Sequence, residues 1–268
     1  MKAISRIYIG LIMLFLYAPL AVMVVFSFNS ARSTSVFGGF SLKWYTELFG
    51  DSSTMTALKN TLILAVCSAI IATILGTISA VGIYQMKKKW QKSLIMTVTN
   101  IPMMNPDIVT GISLMLLFVF VGRFVSSADV LGFHTMLIAH VTFNLPYVIL
   151  SVMPKLRQMD PHLSEAARDL GCTPVMSFFK VVLPSILPGV FTGLIMSFTL
   201  SIDDFVISYF TSGPNFQTLP IKIFSMTKRR VTPDMYALST LIFVSVLILM
   251  ILINVAQAKM EKDKPTRV

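Results

Sequence analysis

Ile7–Phe28 reads IYIGLIMLFLYAPLAVMVVFSF, twenty-two residues without a charge. At 1.5 Å of rise per residue a helix of that length covers about 33 Å, enough to cross a hydrocarbon core of about 30 Å. Lys2 and Arg6 give it the basic start of a signal peptide, but the apolar region of a signal peptide runs only about 7–15 residues before an A-x-A-like site. Asn29-Ser30-Ala31-Arg32 fits such a site poorly, so the segment is expected to remain as an anchor. The whole chain agrees with lipid as its main solvent: 55% of residues are hydrophobic, 13% are charged, and mean hydropathy is +0.78.

Five more spans are expected downstream, at 61–84, 94–121, 134–153, 181–202 and 236–258. The second carries the small residues Gly76, Ala80 and Gly82, which allow close helix approach. The third is interrupted at Asn100-Ile101-Pro102 and Asn105-Pro106-Asp107, and the fourth is broken at Asn144-Leu145-Pro146. The fifth opens with Pro184 and Pro188 and holds Gly189 and Gly193 at GxxxG spacing. The reading is an all-α membrane protein, one transmembrane domain over 1–268 with six transmembrane helices.

Basic residues set the orientation. The N-terminus, 85–93, 154–180 and the C-terminal tail hold 14 of the 22 Lys and Arg, so both ends are expected in the cytoplasm. Lys87-Lys88-Lys89 with Lys92 is the clearest vote, and Lys228-Arg229-Arg230, in a long loop, dissents. The net charge of +10 is thereby placed at the membrane surface, and no basic stripe with interleaved aromatics points to nucleic acid. Cys67 and Cys172 would sit at different depths and are not expected to pair. His134, His140 and His162 form no cluster at ligand spacing, so no metal site is expected.

Between the fourth and fifth spans the chain runs Asp160-Pro161-His162-Leu163-Ser164-Glu165-Ala166-Ala167-Arg168-Asp169-Leu170-Gly171-Cys172-Thr173-Pro174. Asp160 can cap a helix beginning at Pro161, Gly171 can end it, and Thr173-Pro174 reads as the cap and first residue of another. The result is a polar helix–turn–helix, about 161–177. Ala166 and Ala167 offer a small-side-chain face for docking, and Glu165 and Asp169 lie four apart on one face.

Glu165-Ala166-Ala167, Gly171, and Val181, Leu183 and Pro184 resemble the EAA loop of binding-protein-dependent ABC importer permeases; Val181 stands where the family usually has Ile. The likeness extends through Tyr17-Ala18-Pro19, Ser27-Phe28-Asn29-Ser30, Trp44-Tyr45, Pro106-Asp107-Ile108-Val109, His140-Val141-Thr142-Phe143, Ser197 to Asp204, Gly213-Pro214 and Leu219-Pro220. Within that group the chain resembles the spermidine/putrescine permeases. The resemblance implies a MetI-like type I fold in a bacterial inner membrane and a non-catalytic subunit. Its implied partners are a second related permease, two copies of an ABC ATPase, and an extracytoplasmic polyamine-binding protein. Glu165, Ala166, Ala167, Asp169, Leu170 and Gly171 would form a cytoplasmic coupling helix that docks on the ATPase. No GxxxxGK[ST] loop occurs in this chain, so no cofactor is expected on it, and ATP and magnesium would belong to the ATPase.

A polyamine carries several ammonium charges, and its route through hydrocarbon needs carboxylates or ring faces. Asp107 fits either a helix-end role or a place on that route. Asp203 and Asp204 fit either a solvated loop start or a cation gate. Phe143, Tyr147, Phe205 and Tyr209 are ordinary packing residues or cation–π surface. Proline breaks at 102, 106 and 146 would free carbonyls to line a cavity. Permeases for other small cargo remain an alternative; a stand-alone secondary transporter is a further one, although no inverted repeat is visible, and an intramembrane enzyme would call for a motif such as HExxH or GxSxG, neither of which occurs.

Overall fold

The structure is a computed structural model that describes residues 2–31, 36–125, 130–228 and 233–262. Its helices in chain order are α1 Lys2–Ser27, α2 Lys43–Gly50, α3 Ser52–Gln85, α4 Lys89–Met104, α5 Asp107–Val125, α6 Phe133–Gln158, α7 Leu163–Asp169 and α8 Pro174–Ser177. A wide π-type turn, Phe178–Val182, leads into α9 Leu183–Asp203, followed by α10 Val206–Thr211, α11 Leu219–Thr227 and α12 Pro233–Lys262. Among the described residues the sole β pairing is the isolated bridge between Asn29 and Phe40. Segments in α1, α3, α5, α6 and the run Pro174–Asp203 are long and apolar enough to cross a membrane, and α12 adds the shorter apolar stretch Pro233–Ile248. Arg32, Arg229, Arg230, Lys264 and Arg267, which enter the orientation count, lie outside the described residues.

Proline acts differently at two of the expected breaks. At Asn105-Pro106 the helix stops: Asn105 is extended (φ −83°, ψ 138°), because a residue preceding proline is pushed out of the α region. The stretch expected as one span over 94–121 is therefore two helices, α4 and α5. At Pro146 the expected break does not occur, and α6 runs unbroken from Phe133 to Gln158 through both Pro146 and Pro154. Pro146 is buried there, so packing holds a helix that proline weakens by removing one ladder bond.

The described residues group into two compact units, Met1–Leu58 with Leu219–Leu252 and Lys59–Thr218 with Ile253–Val268. In the first, Asn29 is a hub. Its Nδ2 donates to the Val36 carbonyl at 2.7 Å, its Oδ1 accepts from the Gly38 N–H at 2.7 Å, and its carbonyl accepts from Trp44 Nε1 at 2.6 Å. Ser27 and Tyr45 join their hydroxyls at 2.7 Å, and Phe28 stacks on Phe40. Leu48, Ala57, Leu219 and Leu238 form this unit's apolar core.

The second unit is built on α6 against α9 and the later part of α3. Val148 is its central knob. A Cβ placed on Gly76 of α3 would lie 2.6 Å from the Val148 side chain, and one on Gly193 of α9 would lie 3.2 Å from its Cα. Only glycine lets both backbones come that close, and in lipid such van der Waals contact is the main force between helices. Gly189, Gly193, Ser197 and Ser201, spaced by four, are all buried on one ridge of α9.

Candidate functional site

The polar element between the fourth and fifth spans is an exposed helical hook. Asp160 Oδ1 accepts the His162 N–H at 2.9 Å, and α7 begins at Leu163, two residues after the start expected at Pro161. Asp160 thus shapes the turn before α7 instead of capping it. At the other end the Gly171 N–H reaches the Arg168 carbonyl (2.9 Å) and the Cys172 N–H reaches the Ala167 carbonyl (3.1 Å). That is a Schellman stop, and it requires the left-handed backbone that Gly171 adopts at φ +87°. Thr173 then caps α8 by accepting the Met176 N–H, with Pro174 at its first position.

Ser177 fastens the two helices: its hydroxyl lies 3.2 Å from the Ser164 hydroxyl and donates to the Ser164 carbonyl at 3.3 Å. The alanine face expected from sequence divides. Ala167 is buried toward the chain's own packing, and Ala166 is exposed beside Glu165 and Asp169. The outward surface carries apolar side chains as well, with Leu170 87% exposed, Val175 66% and Phe179 59%. His162 Nδ1 lies 3.1 Å from Glu165 Oε2, and this hydrogen bond holds the imidazole pKa above its usual value.

Within the bundle, α6 displays His140 and Asn144 one turn apart, both buried. Asn144 Nδ2 donates to Ser201 Oγ at 2.8 Å, and Ser201 Oγ lies 2.8 Å from Ser68 Oγ, so one polar contact joins α3, α6 and α9. His140 Nε2 lies 3.0 Å from Ser208 Oγ and 3.5 Å from Asp204 Oδ2. Ser197 Oγ, Asn144 Oδ1 and His140 Nδ1 are buried with no hydrogen-bond partner among the described residues.

The acidic and aromatic residues singled out from sequence fall at the α5, α6 and α10 junction. Asp107 is exposed at the start of α5, within electrostatic reach of Tyr147. Tyr147 lies against Phe143 with ring centroids 5.5 Å apart, and Phe143 packs with Ile207 of α10. Tyr209 is exposed beside Phe205. Asp203 and Asp204, read together as a pair, are separated: Asp203 is exposed, whereas the Asp204 side chain is 8% exposed and faces His140. The backbone turns at Asp204 (φ −64°, ψ 120°), so the two side chains leave in different directions.

Sequence reading missed the Ser68–Ser201–Asn144 contact and the Ser164–Ser177 clasp. The every-fourth-residue series from Gly189 to Ser201 is a usable signal for the first, of which the GxxxG spacing covers only Gly189 and Gly193. Neither cysteine is in a disulfide.

The described residues form a helical, many-span domain with an exposed polar hook ahead of the run Pro174–Asp203, the architecture of a multi-pass membrane protein. The chain belongs to the family of binding-protein-dependent transport system inner membrane components, which matches residues 72–263. It is 40% identical over 250 residues to the putrescine transport system permease protein PotI of Escherichia coli K12, covering 93% of this chain and 89% of that one. It is 39% identical to the spermidine/putrescine transport system permease protein PotC of the same strain, covering 88% and 87%. A bacterial alginate ABC transporter, solved with a periplasmic protein bound to an alginate pentasaccharide, shares the fold at TM-score 0.75 and 15% identity, over 97% of this chain and 94% of that one. The protein is thus a multi-pass membrane protein of the transport permease class.

Proposed function

We propose that this protein is a permease subunit of an ATP-driven importer and forms part of a translocation path for polyamines. The observation that carries the reading is the 40% identity, over nearly the whole chain, to a putrescine permease. Spermidine and putrescine are both within its scope. The chemistry of this part of the bundle suits it: Asp107 and Asp203 supply exposed carboxylates and Tyr147 and Tyr209 supply ring faces, whereas Phe143, expected among them, is buried in the core and serves packing.

In this reading the hook faces the cytoplasm, both termini lie there, and Glu165, Ala166, Asp169 and Leu170 dock on a separate ATPase. Ala167 and Gly171 serve the hook from inside, by packing and by turning the chain. The ATPase, present in two copies, holds ATP and magnesium; this chain performs no chemistry. A second related permease and an extracytoplasmic polyamine-binding protein complete the assembly. Apolar exposure at Leu170, Val175 and Phe179 supports docking, since a patch of that kind on a polar loop calls for a partner surface.

Uptake of labelled putrescine and spermidine, in cells with and without this chain, tests the reading. Uptake that depends on the chain and falls with Asp107→Asn is the expected result. Equal uptake in both strains, with the rest of the transporter present, would overturn it.

A further inference from the structure

We infer that the adjacent carboxylates at the end of α9 have separate tasks: Asp204, with His140 and Ser208, is a positioning unit that seats α10, and Asp203 is the carboxylate left to meet a cation. This inference rests on the polyamine reading above and assigns roles within that site.

The oxygens of Asp204 are already engaged. Oδ2 accepts the Ser208 N–H at 2.7 Å and lies 3.5 Å from His140 Nε2, and Oδ1 accepts the Ile207 N–H at 3.3 Å. An ammonium group reaching this buried carboxylate would compete for it with the bonds that start α10. A helix as short as α10 does not hold itself together in isolation, so it depends on such anchors. Nδ1 of His140 has no partner among the described residues, which assigns the ring proton to Nε2, where Ser208 Oγ accepts it and Asp204 Oδ2 stands 3.5 Å away as its electrostatic neighbour.

α6 grips the chain on both sides of the turn. Asn144 holds Ser201 before it, and His140 holds Ser208 after it. On the far flank Gly111 of α5 admits α10 closely: a Cβ there would be 3.0 Å from the Phe210 ring and 3.5 Å from Ile207 Cα. With α10 fixed against α5 and α6, Asp203 is held at the exposed side of the turn and Tyr209 on the exposed face of α10. Asp204 would then affect transport by placing these groups, without itself touching cargo.

Uptake kinetics of the assembled transporter separate the two tasks. Asp203→Asn is expected to raise KM for spermidine or putrescine by about fivefold or more, with maximal rate kept within about twofold. Asp204→Asn and His140→Leu are expected to lower maximal rate about tenfold with KM within about twofold, and the pair combined to be no worse than the more damaging single change. His140→Gln, whose amide can donate from near the Nε2 position, is expected to restore most of the rate. Amide hydrogen exchange of the full chain in nanodiscs gives a readout that needs no cargo: residues 206–212 should exchange faster in Asp204→Asn and unchanged in Asp203→Asn. Should Asp204→Asn raise KM as Asp203→Asn does, with exchange in α10 unaltered, the division of tasks is overturned. Wild-type chain that moves no polyamine would instead defeat the proposed function, and exchange alone would then decide the seating of α10.

Discussion

The hook of α7 and α8 and the core of α6, α9 and α10 are inverted with respect to each other. In the hook, apolar side chains point outward at Leu170, Val175 and Phe179, and Ser177, bonded to the half-buried Ser164, is enclosed. In the core, which sits among lipid-facing helices, His140, Asn144, Ser197 and Ser201 point inward and apolar groups cover the outside. Each region places residues where its own solvent would not favour them. Water does not favour bare leucine and phenylalanine, and a packed interior penalises unpartnered polar atoms. The first cost calls for a docking partner, and the second is reduced by helix-to-helix hydrogen bonds. Interface and mechanism are therefore expected at the hook, and helix registry in the core.

The comparison can be broken most severely at the hook. Leu170→Asp together with Phe179→Asp should abolish co-purification of the ATPase and cut polyamine uptake by roughly two orders of magnitude, the loss expected when central apolar anchors of an interface are charged. Thermal stability of the isolated membrane subunit should stay within a few degrees of wild type, because neither side chain is buried. If the ATPase still binds, the outward apolar face has another purpose.

In the core the largest effect should come from the close approaches. Gly76→Val and Gly193→Val insert carbons where Val148 of α6 lies, against its side chain and its Cα respectively, and each should destabilise the subunit by about 2–3 kcal/mol, read by reversible unfolding in detergent. Asn144→Leu removes one interhelical hydrogen bond and should cost nearer 1 kcal/mol, in the range found for such bonds between membrane helices. A loss larger than that of the glycine variants would mean that polarity, and not packing, holds α6 to α9.

A smaller effect is expected outside the core, where Asp51 joins Lys222 at 3.0 Å and accepts from Thr54. Those hydrogen bonds lower the Asp51 pKa from 3.8 to about 2. A depressed carboxylate stabilises the folded state above its unfolded pKa and loses that contribution as pH falls through the folded one. The window is therefore pH 4 down to 2, and the effect is small because the aspartate is 45% exposed. Asp51→Asn should flatten the stability profile across that window in a thermal melt. His162 behaves oppositely: its raised pKa makes the link to Glu165 complete below the usual histidine value and lost as pH rises through the folded one. Hydrogen exchange in 160–166 measured between pH 6 and 8 should follow it, and His162→Ala should remove the trend.

Local rules made the helical spans, the glycine stop at 171 and the Thr173-Pro174 restart legible, because each depends on a few consecutive residues. The same rules misjudged Pro146. They register the missing N–H but not the burial in which α6 continues through it, whereas at Asn105-Pro106 the exposed proline does end the helix. The residues proposed for coupling and for the cation path were legible as a set of types, but their facing was not. Nothing in the sequence distinguishes Ala166 from Ala167, or Asp203 from Asp204.

What the sequence by itself determined was the solvent and the punctuation: long uncharged runs must lie in lipid, and Asp, Gly and Pro mark where helices start and stop. Tertiary structure alone decided which of two neighbouring residues looks inward. Rotation of a helix about its axis is set by what packs beside it. Here Val148 wedged between Gly76 and Gly193, and α6 bonded to Ser201 and Ser208, turn Asp204 into the protein and leave Asp203 outside.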